Sequence, residues 1–335
     1  MRRILIVHIS RIGDTLLVTP ALRAIARAHP EAEITVLAHP KRCEILRLPF
    51  IGRVGGITKR SAPWRGRFGI APYDLAFVYG FDAALVRYAL RVAGRVVAFR
   101  QGISDIDSRL NPAVAPAPFQ SEHSIVQLLR LPGALGIAPA GLRVAYEMTG
   151  GEARAARTRL ATSGLAGFSP LIGLQVASFP TKAYRDWPVE QFAQLCARIS
   201  ERWSEARYLI FGGSGERRRT EWLAGRLGRR ALHLAGRLSL RETAALMSLT
   251  DLYVGVDTGP THLMSAFDIP LVGLYHGHSR SALIAPLEHP CLYAVDHPLA
   301  GPACPIEAPM ADISVDAVFA QVERALAEHP PRRRH

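Results

Sequence analysis

Short apolar runs and amphipathic helical patterns alternate along the whole chain. In the first half, apolar runs predict strands at residues 4–9, 34–37, 75–79 and 96–99. The helical spacing of apolar positions predicts helices at residues 16–28 and 124–135. Because strands that are separated by helices pair in parallel, this half predicts a doubly wound α/β sheet.

The second half repeats this order of elements. Its apolar runs predict strands at residues 171–176, 208–211, 252–256 and 271–274. Helical patterns predict helices at residues 189–203, 217–227, 240–249 and 315–327. The chain of 335 residues is longer than one core usually organises, and residues 136–163 form its candidate linker region. We therefore predict two Rossmann-like domains, residues 1–150 and residues from 151 onward, that face a central cleft.

The charge and cysteine content of the chain indicate what kinds of molecule it binds and where it works. The formal net charge is +13, and only three of the 41 basic residues are lysines. Such a charge favours acidic partners, such as phosphates and anionic lipid. A nucleic-acid partner is not predicted, since the arginines are spread through both halves and no nucleic-acid-reading motif is present. The four cysteines have no metal-ligand spacing, and no apolar run is long enough to span a membrane, so we expect a cytoplasmic protein.

Two polar turns follow predicted strands at places where ligands bind. The stretch Asp-Thr-Gly-Pro-Thr-His at 257–262 leads from a strand directly into a helix. Free backbone N–H groups and the positive end of the helix dipole make such a turn an anion site. The stretch Ser-Arg-Ile-Gly-Asp-Thr at 10–15 puts a second polar turn, with the carboxylate of Asp14, at the end of the first strand.

Two further stretches of the second half add ligand-binding groups. Phe-Gly-Gly-Ser-Gly-Glu at 211–216 follows a strand, and its glycines permit close backbone approach to a ligand while Glu216 can accept from ribose hydroxyls. Residues 177–188 add hydroxyls and two cations. This inventory suits a nucleoside diphosphate attached to another group. No G-x-G-x-x-G or P-loop pattern is present, which argues against dinucleotide oxidoreductases and P-loop NTPases.

Four motifs in order resemble one family. They are Ile-Gly-Asp-Thr-Leu-Leu-Val-Thr-Pro-Ala-Leu (12–22), Arg-Asp-Trp-Pro-Val-Glu-Gln-Phe (185–192), the Phe-Gly-Gly-Ser-Gly-Glu turn and Asp-Thr-Gly-Pro-Thr-His-Leu (257–263). The chain thereby resembles family 9 glycosyltransferases, the ADP-heptose:lipopolysaccharide heptosyltransferase family. The resemblance implies a GT-B fold, in which residues 1–150 bind the acceptor and residues 151–312 bind the nucleotide-sugar donor. It also implies that a last helix, residues 313–328, crosses back to the first domain.

The resemblance suggests roles for three charged side chains. Asp14 matches the catalytic aspartate, which would take the proton of the acceptor hydroxyl as general base; the alternative is an N-cap of the following helix. Arg185 stands where the family usually has a lysine, and Lys182 precedes it by three residues. Either cation can stabilise charge on the diphosphate leaving group, and the alternative for Arg185 is a salt-bridged arginine on the surface.

The donor and acceptor residues follow from the same match. Thr258, Gly259 and His262 would hold the diphosphate, with a packed core residue as the alternative for His262. Asp257 would shape the turn or bind a sugar hydroxyl. The remaining residues assigned to the donor are Ser178, Gly213, Glu216 and Tyr275. The residues assigned to an acidic acceptor, or else to a solvated loop, are Lys59, Arg60, Arg65 and Arg67.

The expected reaction is inverting transfer of L-glycero-D-manno-heptose from ADP-heptose to the Kdo/heptose inner core of lipopolysaccharide. We expect no cofactor and no metal ion, because no Asp-x-Asp motif appears where a divalent ion would be needed. The partners would be a nucleotide-sugar donor, an acidic lipid-linked saccharide acceptor and the anionic inner membrane at its cytosolic face. The alternative is a GT-B glycosyltransferase with a different nucleotide sugar or a non-lipopolysaccharide acceptor.

Overall fold

The computed structural model describes residues 1–66, 72–178 and 180–331. The chain divides into two compact units, Met1–Glu147 and Met148–His335. This division lies within three residues of the boundary that the sequence suggested. Each unit contains one six-stranded parallel sheet with helices, so the α/β prediction with two parallel sheets is confirmed.

The sheet of the first unit has the strand order β3-β2-β1-β4-β5-β6. Its strands are β1 (Arg3–His8), β2 (Glu33–Ala38), β3 (Arg53–Gly56), β4 (Tyr73–Tyr79), β5 (Ala93–Phe99) and β6 (Ala113–Val114). Its helices are α1 (Ile12–Leu17), α2 (Thr19–Ala28), α3 (Ala83–Val92), α4 (Ser104–Asp107) and α5 (Ser124–Gly133). Because β1 lies between β2 and β4 and is buried over Ile4–Val7, the segment that follows it stands at the middle of the sheet edge.

The predicted helix 16–28 is two helices, and the first begins earlier than expected. Arg11 is the N-cap of α1, so Asp14 lies inside the first turn and is not the cap. The helical hydrogen bonds break near Val18, because Pro20 at the start of α2 has no N–H to donate. The early start of α1 brings Asp14 within one turn of the end of β1.

The sheet of the second unit has the strand order β12-β11-β10-β7-β8-β9. Its strands are β7 (Leu171–Gln175), β8 (Arg207–Phe211), β9 (Ala231–His233), β10 (Leu252–Val256), β11 (Leu271–Tyr275) and β12 (Leu292–Asp296). Its helices are α6 (Gly150–Thr162), α7 (Val189–Arg202), α8 (Arg217–Leu227), α9 (Leu240–Met247), α10 (Gly259–Met264), α11 (Ser281–Ile284) and α12 (Val315–Glu328). Since β10, β7 and β8 are neighbours, the three polar turns that follow them share one edge of the sheet.

Helix α12 packs within the second unit, against α7 and the strands β10, β11 and β12. The fully buried Trp187 ties the segment after β7 to the chain just before this helix, because its indole N–H donates to the Ile313 carbonyl at 2.9 Å. Deletion of this contact would loosen the turn that carries Arg185. The predicted crossing of residues 313–328 back to the first domain stays a prediction.

Candidate active site

A buried charge cluster stands after β7 and β10 in the second unit. The Asp257 side chain is 1% exposed, and its carboxylate contacts the Arg185 guanidinium and the His262 imidazole. Arg185 Nη1 donates to its Oδ2 at 2.7 Å, and His262 Nε2 lies 3.3 Å from its Oδ1. Burial raises the pKa of Asp257, but His262, Arg185 and Ser279 together lower it below the ordinary aspartate value. The carboxylate is therefore a buried counterion that holds the turn, which favours the turn-shaping interpretation over a sugar contact.

Two cations surround the ring of Tyr184. The Arg185 guanidinium lies 5.4 Å from the ring centroid, and Lys182 Nζ lies 5.5 Å from it. Arg185 also donates from Nε to the Tyr184 hydroxyl at 3.2 Å, besides its bond to Asp257. Lys182 has no carboxylate partner in the part of the chain that the structure describes. Of the two predicted leaving-group cations, Lys182 is thus the one not already committed to an ion pair.

The turn into α10 presents backbone donors beside buried polar atoms. Thr258 is the N-cap and Gly259 the first helical residue, and the Thr258 side chain makes no capping bond. The first N–H groups of a helix have no intrahelical acceptor, so they can donate to an anion. Among the described residues, His262 Nδ1 and the Tyr275 hydroxyl are buried and have no hydrogen-bond partner. Both atoms can therefore bond to a polar ligand that reaches this turn.

A cleft of about 490 Å³ adjoins the turns that follow β7 and β8. Ser178 and Glu216 both line it, as expected for donor residues. Ser178 Oγ lies 2.6 Å from Asp186 Oδ1 and 2.8 Å from the Lys182 carbonyl oxygen, so its hydroxyl braces the turn. The Gly213 N–H donates to the Glu216 carboxylate, which orients it at the start of α8. Burial raises the pKa of Glu216 above the ordinary glutamate value.

The residues of this cleft that were not among the predicted site residues include Asp186, Arg219 and Trp222. Arg219 forms an ion pair with Asp186, which also accepts from the Ser178 N–H at 2.6 Å. Arg219 and Trp222 follow Glu216 at steps of three, which is the spacing of one helix face. That spacing is a sequence signal that could have identified them once Glu216 was chosen.

Asp14 in the first unit is exposed, in contrast to Asp257. Ser10 Oγ donates to its Oδ2 at 2.6 Å. Below it, His8 Nε2 lies 3.1 Å from the Asp14 carbonyl oxygen, and burial lowers the pKa of His8 although Asp14 raises it. A neutral His8 then donates from Nε2, which fixes the turn that carries the carboxylate.

The basic loop of the first unit is partly tethered. Lys59 Nζ lies 2.9 Å from Asp82 Oδ2, and Arg65 Nη1 donates to the Gly56 carbonyl at 2.9 Å. Arg60 is exposed. Arg67 lies outside the described residues. Lys59 thus has a carboxylate partner and Arg65 a carbonyl partner within the first unit. Among the described residues of this loop, Arg60 is the cation without such a partner.

Within residues 1–66, 72–178 and 180–331, His, Cys, Asp and Glu side chains form no group of three or more that could hold a metal ion. The Asp-Ile-Asp stretch at 105–107 is internally engaged, since Asp105 pairs with Arg87 at 2.7 Å and Asp107 accepts the N–H groups of Gln101 and Gly102. No helix in this described part is both long and apolar enough to cross a membrane.

Comparison with known proteins extends these observations. The family model described as glycosyltransferase family 9 (heptosyltransferase) matches residues 126–291. Lipopolysaccharide heptosyltransferase 1 of Pseudomonas aeruginosa is 28% identical over 291 residues, 82% of this chain and 78% of that protein. Lipopolysaccharide core heptosyltransferase OpsX of Haemophilus influenzae is 28% identical over 109 residues, which are 32% of this chain and 30% of that protein.

The likeness extends to a solved structure. The E. coli ADP-heptose lps heptosyltransferase II superimposes with a TM-score of 0.79 at 18% identity, over 99% of this chain and 100% of that chain. The fold is therefore GT-B, with one Rossmann-like sheet in each unit. The two parallel sheets with polar turns at their strand ends define a two-domain α/β enzyme. Over residues 126–291 the chain matches glycosyltransferase family 9 (heptosyltransferase), and it is a glycosyltransferase.

Proposed function

We propose that this chain transfers L-glycero-D-manno-heptose from ADP-heptose to the Kdo/heptose inner core of lipopolysaccharide, with inversion at the anomeric carbon. The observation that carries the proposal is the shared edge of β10, β7 and β8, where the α10 turn, Lys182 and Glu216 supply backbone donors, a cation and a carboxylate. These are the groups that a diphosphate and a ribose require. The names of the curated relatives, which are lipopolysaccharide heptosyltransferases, support the sugar and the acceptor.

The reaction needs a base on the face of the sugar opposite the departing diphosphate. Asp14 is exposed, and the Ser10 hydroxyl binds only its Oδ2. Its Oδ1 accepts the proton of the acceptor hydroxyl as that oxygen bonds to the anomeric carbon and the bond to the diphosphate breaks. The carboxylate thus generates the nucleophile, and the heptose is transferred with inversion while ADP leaves.

The leaving diphosphate gains negative charge as the glycosidic bond breaks. The N–H groups of the α10 turn and a nearby cation stabilise this charge without a metal ion or another cofactor. We assign the cation to Lys182, because Arg185 is already paired with Asp257. Arg185 then acts on the site through Asp257, as part of the buried cluster that shapes the turn.

The acceptor is a saccharide linked to lipid and rich in acidic groups. Arg60, together with Lys59, Arg65 and Arg67, attracts it by charge. The enzyme then works at the cytosolic face of the inner membrane, where such an acceptor presents its sugars to soluble nucleotide sugars.

The test compares wild-type protein with Asp14→Asn. Calorimetry with ADP, UDP and GDP, followed by release of ADP from ADP-heptose with a Kdo-containing acceptor, measures donor choice and turnover. We expect selective ADP binding in both proteins and turnover in the wild type alone. A matched control is Asp105→Asn, which removes an exposed carboxylate paired with Arg87 and leaves turnover intact. Preference for another nucleotide would overturn the assignment of ADP-heptose as the donor. Full activity of Asp14→Asn would overturn the assignment of Asp14 as the general base.

A further inference from the structure

Three large apolar side chains are exposed on neighbouring loops of the first unit. Phe81 is 63% exposed, Ile103 39% and Phe119 83%. The loops that carry them follow β4, β5 and β6, which are consecutive in the sheet. With strands about 4.8 Å apart, these loops begin within about 10 Å of one another. They lie at the same edge as the end of β1, which leads to Asp14.

Short contacts link the starts of these loops. The Phe81 ring stacks on Phe99 with 5.7 Å between centroids. Gln101 donates from Nε2 to the Gly80 carbonyl at 3.3 Å, which ties the loop of Ile103 to that of Phe81. The Arg100 N–H donates to Val114 at the end of β6, at 2.9 Å. The apolar side chains therefore project from a supported edge.

Apart from Asp14, the carboxylates on the loops after β4, β5 and β6 are engaged within the unit. Asp82 pairs with Lys59 at 2.9 Å, and Glu122 pairs with Arg130 at 3.2 Å. Asp105 and Asp107 are engaged as described above. Arg60 and Arg100 are exposed, and neither has a carboxylate partner among residues 1–66, 72–178 and 180–331. The surface is consequently apolar with an excess of positive charge, which is the combination that anionic lipid attracts.

We propose that Phe81, Ile103, Phe119, Arg60 and Arg100 form a lipid-binding edge that seats on the surface of a bilayer containing anionic lipid. The aromatic rings enter the interfacial region, and the two guanidinium groups contact lipid phosphates. The end of β1 then points toward the membrane surface, where the sugars of a lipid-linked acceptor protrude. This inference rests on the proposed function in that the acceptor is attached to lipid.

Vesicle co-sedimentation tests the lipid-binding edge directly. The probes are vesicles of phosphatidylcholine alone and of equimolar phosphatidylcholine and phosphatidylglycerol. We expect wild-type protein to bind the mixed vesicles, and the double variant Phe81→Ser/Phe119→Ser to bind them at least about tenfold more weakly. Arg100→Gln should lose about fivefold, on the anionic vesicles only. Leu299→Ser, which removes a side chain that is 58% exposed in the second unit, is the matched control and should bind as wild type.

Phe119→Ser alone keeps the test valid if loss of the Phe81–Phe99 stacking impairs folding, because Phe119 is almost fully exposed. Equal binding of wild type and folded variants would overturn the lipid-binding edge. A wild-type dimer that forms without vesicles and that Phe119→Ser dissociates would also overturn it, since a second copy would then cover this surface.

Turnover with two acceptors separates this inference from the proposed function. The double variant should raise KM for an acylated acceptor in mixed vesicles and leave KM unchanged for the same acceptor after removal of its acyl chains. An equal KM change for both acceptors would refute the lipid contact while the heptosyl transfer still stands. Absence of wild-type turnover with either acceptor, together with vesicle binding that depends on Phe119, would refute the proposed function and leave the lipid-binding edge.

Discussion

Asp14 and Asp257 each lie just after a central parallel strand, Asp14 in the first turn of a short helix and Asp257 just before one, but their surroundings are opposite. Asp14 is exposed and has one hydroxyl donor, Ser10. Asp257 is 1% exposed and has Arg185 and His262 against its two oxygens. A carboxylate that must exchange a proton with a substrate has to be reached by it, whereas a buried and paired carboxylate can only hold its neighbours. An aspartate that follows a central strand is thus open to a substrate in one sheet and committed to its neighbours in the other.

The largest expected effect comes from Asp14→Asn. Because the amide cannot take the acceptor proton, kcat should fall about 10²–10⁴-fold, while the melting temperature stays close to wild type. Initial rates of ADP release and thermal unfolding measure the two quantities. A comparable loss of stability in Asp14→Asn would contradict the contrast with Asp257.

Asp257→Asn should act mainly on stability. It leaves the guanidinium of Arg185, whose side chain is 22% exposed, without its counterion, which costs about 3 kcal/mol in the free energy of unfolding. Urea unfolding measures the loss. The double variant Asp257→Asn/Arg185→Gln removes both charges and should recover part of it. If the single variant unfolds like wild type, the cluster does not hold the turn.

The pH dependence of stability sharpens the same comparison. The pKa of Asp257 is lowered in the folded protein, so its ionised form contributes stability above the ordinary value near 3.8. That contribution is lost as the pH falls through the lower, folded-state pKa. Urea midpoints of wild type and Asp257→Asn should therefore differ at neutral pH and converge in acid. A constant difference at all pH values would show that ionisation of Asp257 is not involved.

Kinetic measurements should distinguish the roles of Lys182 and Arg185, the two cations near Tyr184. Lys182→Ala should lower kcat about tenfold with little effect on stability, because it removes a positive charge that stabilises the leaving diphosphate. Arg185→Lys keeps a charge near Asp257 and should affect the melting temperature more than the rate constant of transfer. Parallel rate and unfolding measurements on the two variants decide the assignment. The reverse pattern would give the leaving-group role to Arg185.

The smallest effect is expected for Ser10→Ala. Its hydroxyl donates to Oδ2 of Asp14 at 2.6 Å and holds the carboxylate in one orientation, so loss of this hydrogen bond should lower kcat only a few-fold. Initial rates of ADP release measure the loss. A loss as large as that of Asp14→Asn would mean that Ser10 does more than orient the carboxylate.

The pattern of the sequence predicted the central strands of both sheets well, because long apolar runs such as residues 4–9 and 252–256 are buried on both faces. It missed short edge strands such as β6 and β9, which have two and three residues and too little pattern to recognise. It also joined α1 and α2, because the break at Val18 follows from Pro20 rather than from apolar spacing.

What the sequence by itself determined is the α/β order of elements, the family and the positions of the polar turns. These are local properties, written in runs and motifs of consecutive residues. Which carboxylate is buried and which cation it binds was decided only by the tertiary structure. Arg185 and Asp257 are 72 residues apart in the chain, and they meet because β7 and β10 are neighbours in the sheet. Burial and ion pairing depend on such long-range neighbours, so they separate Asp14 from Asp257 where the sequence shows two similar turns.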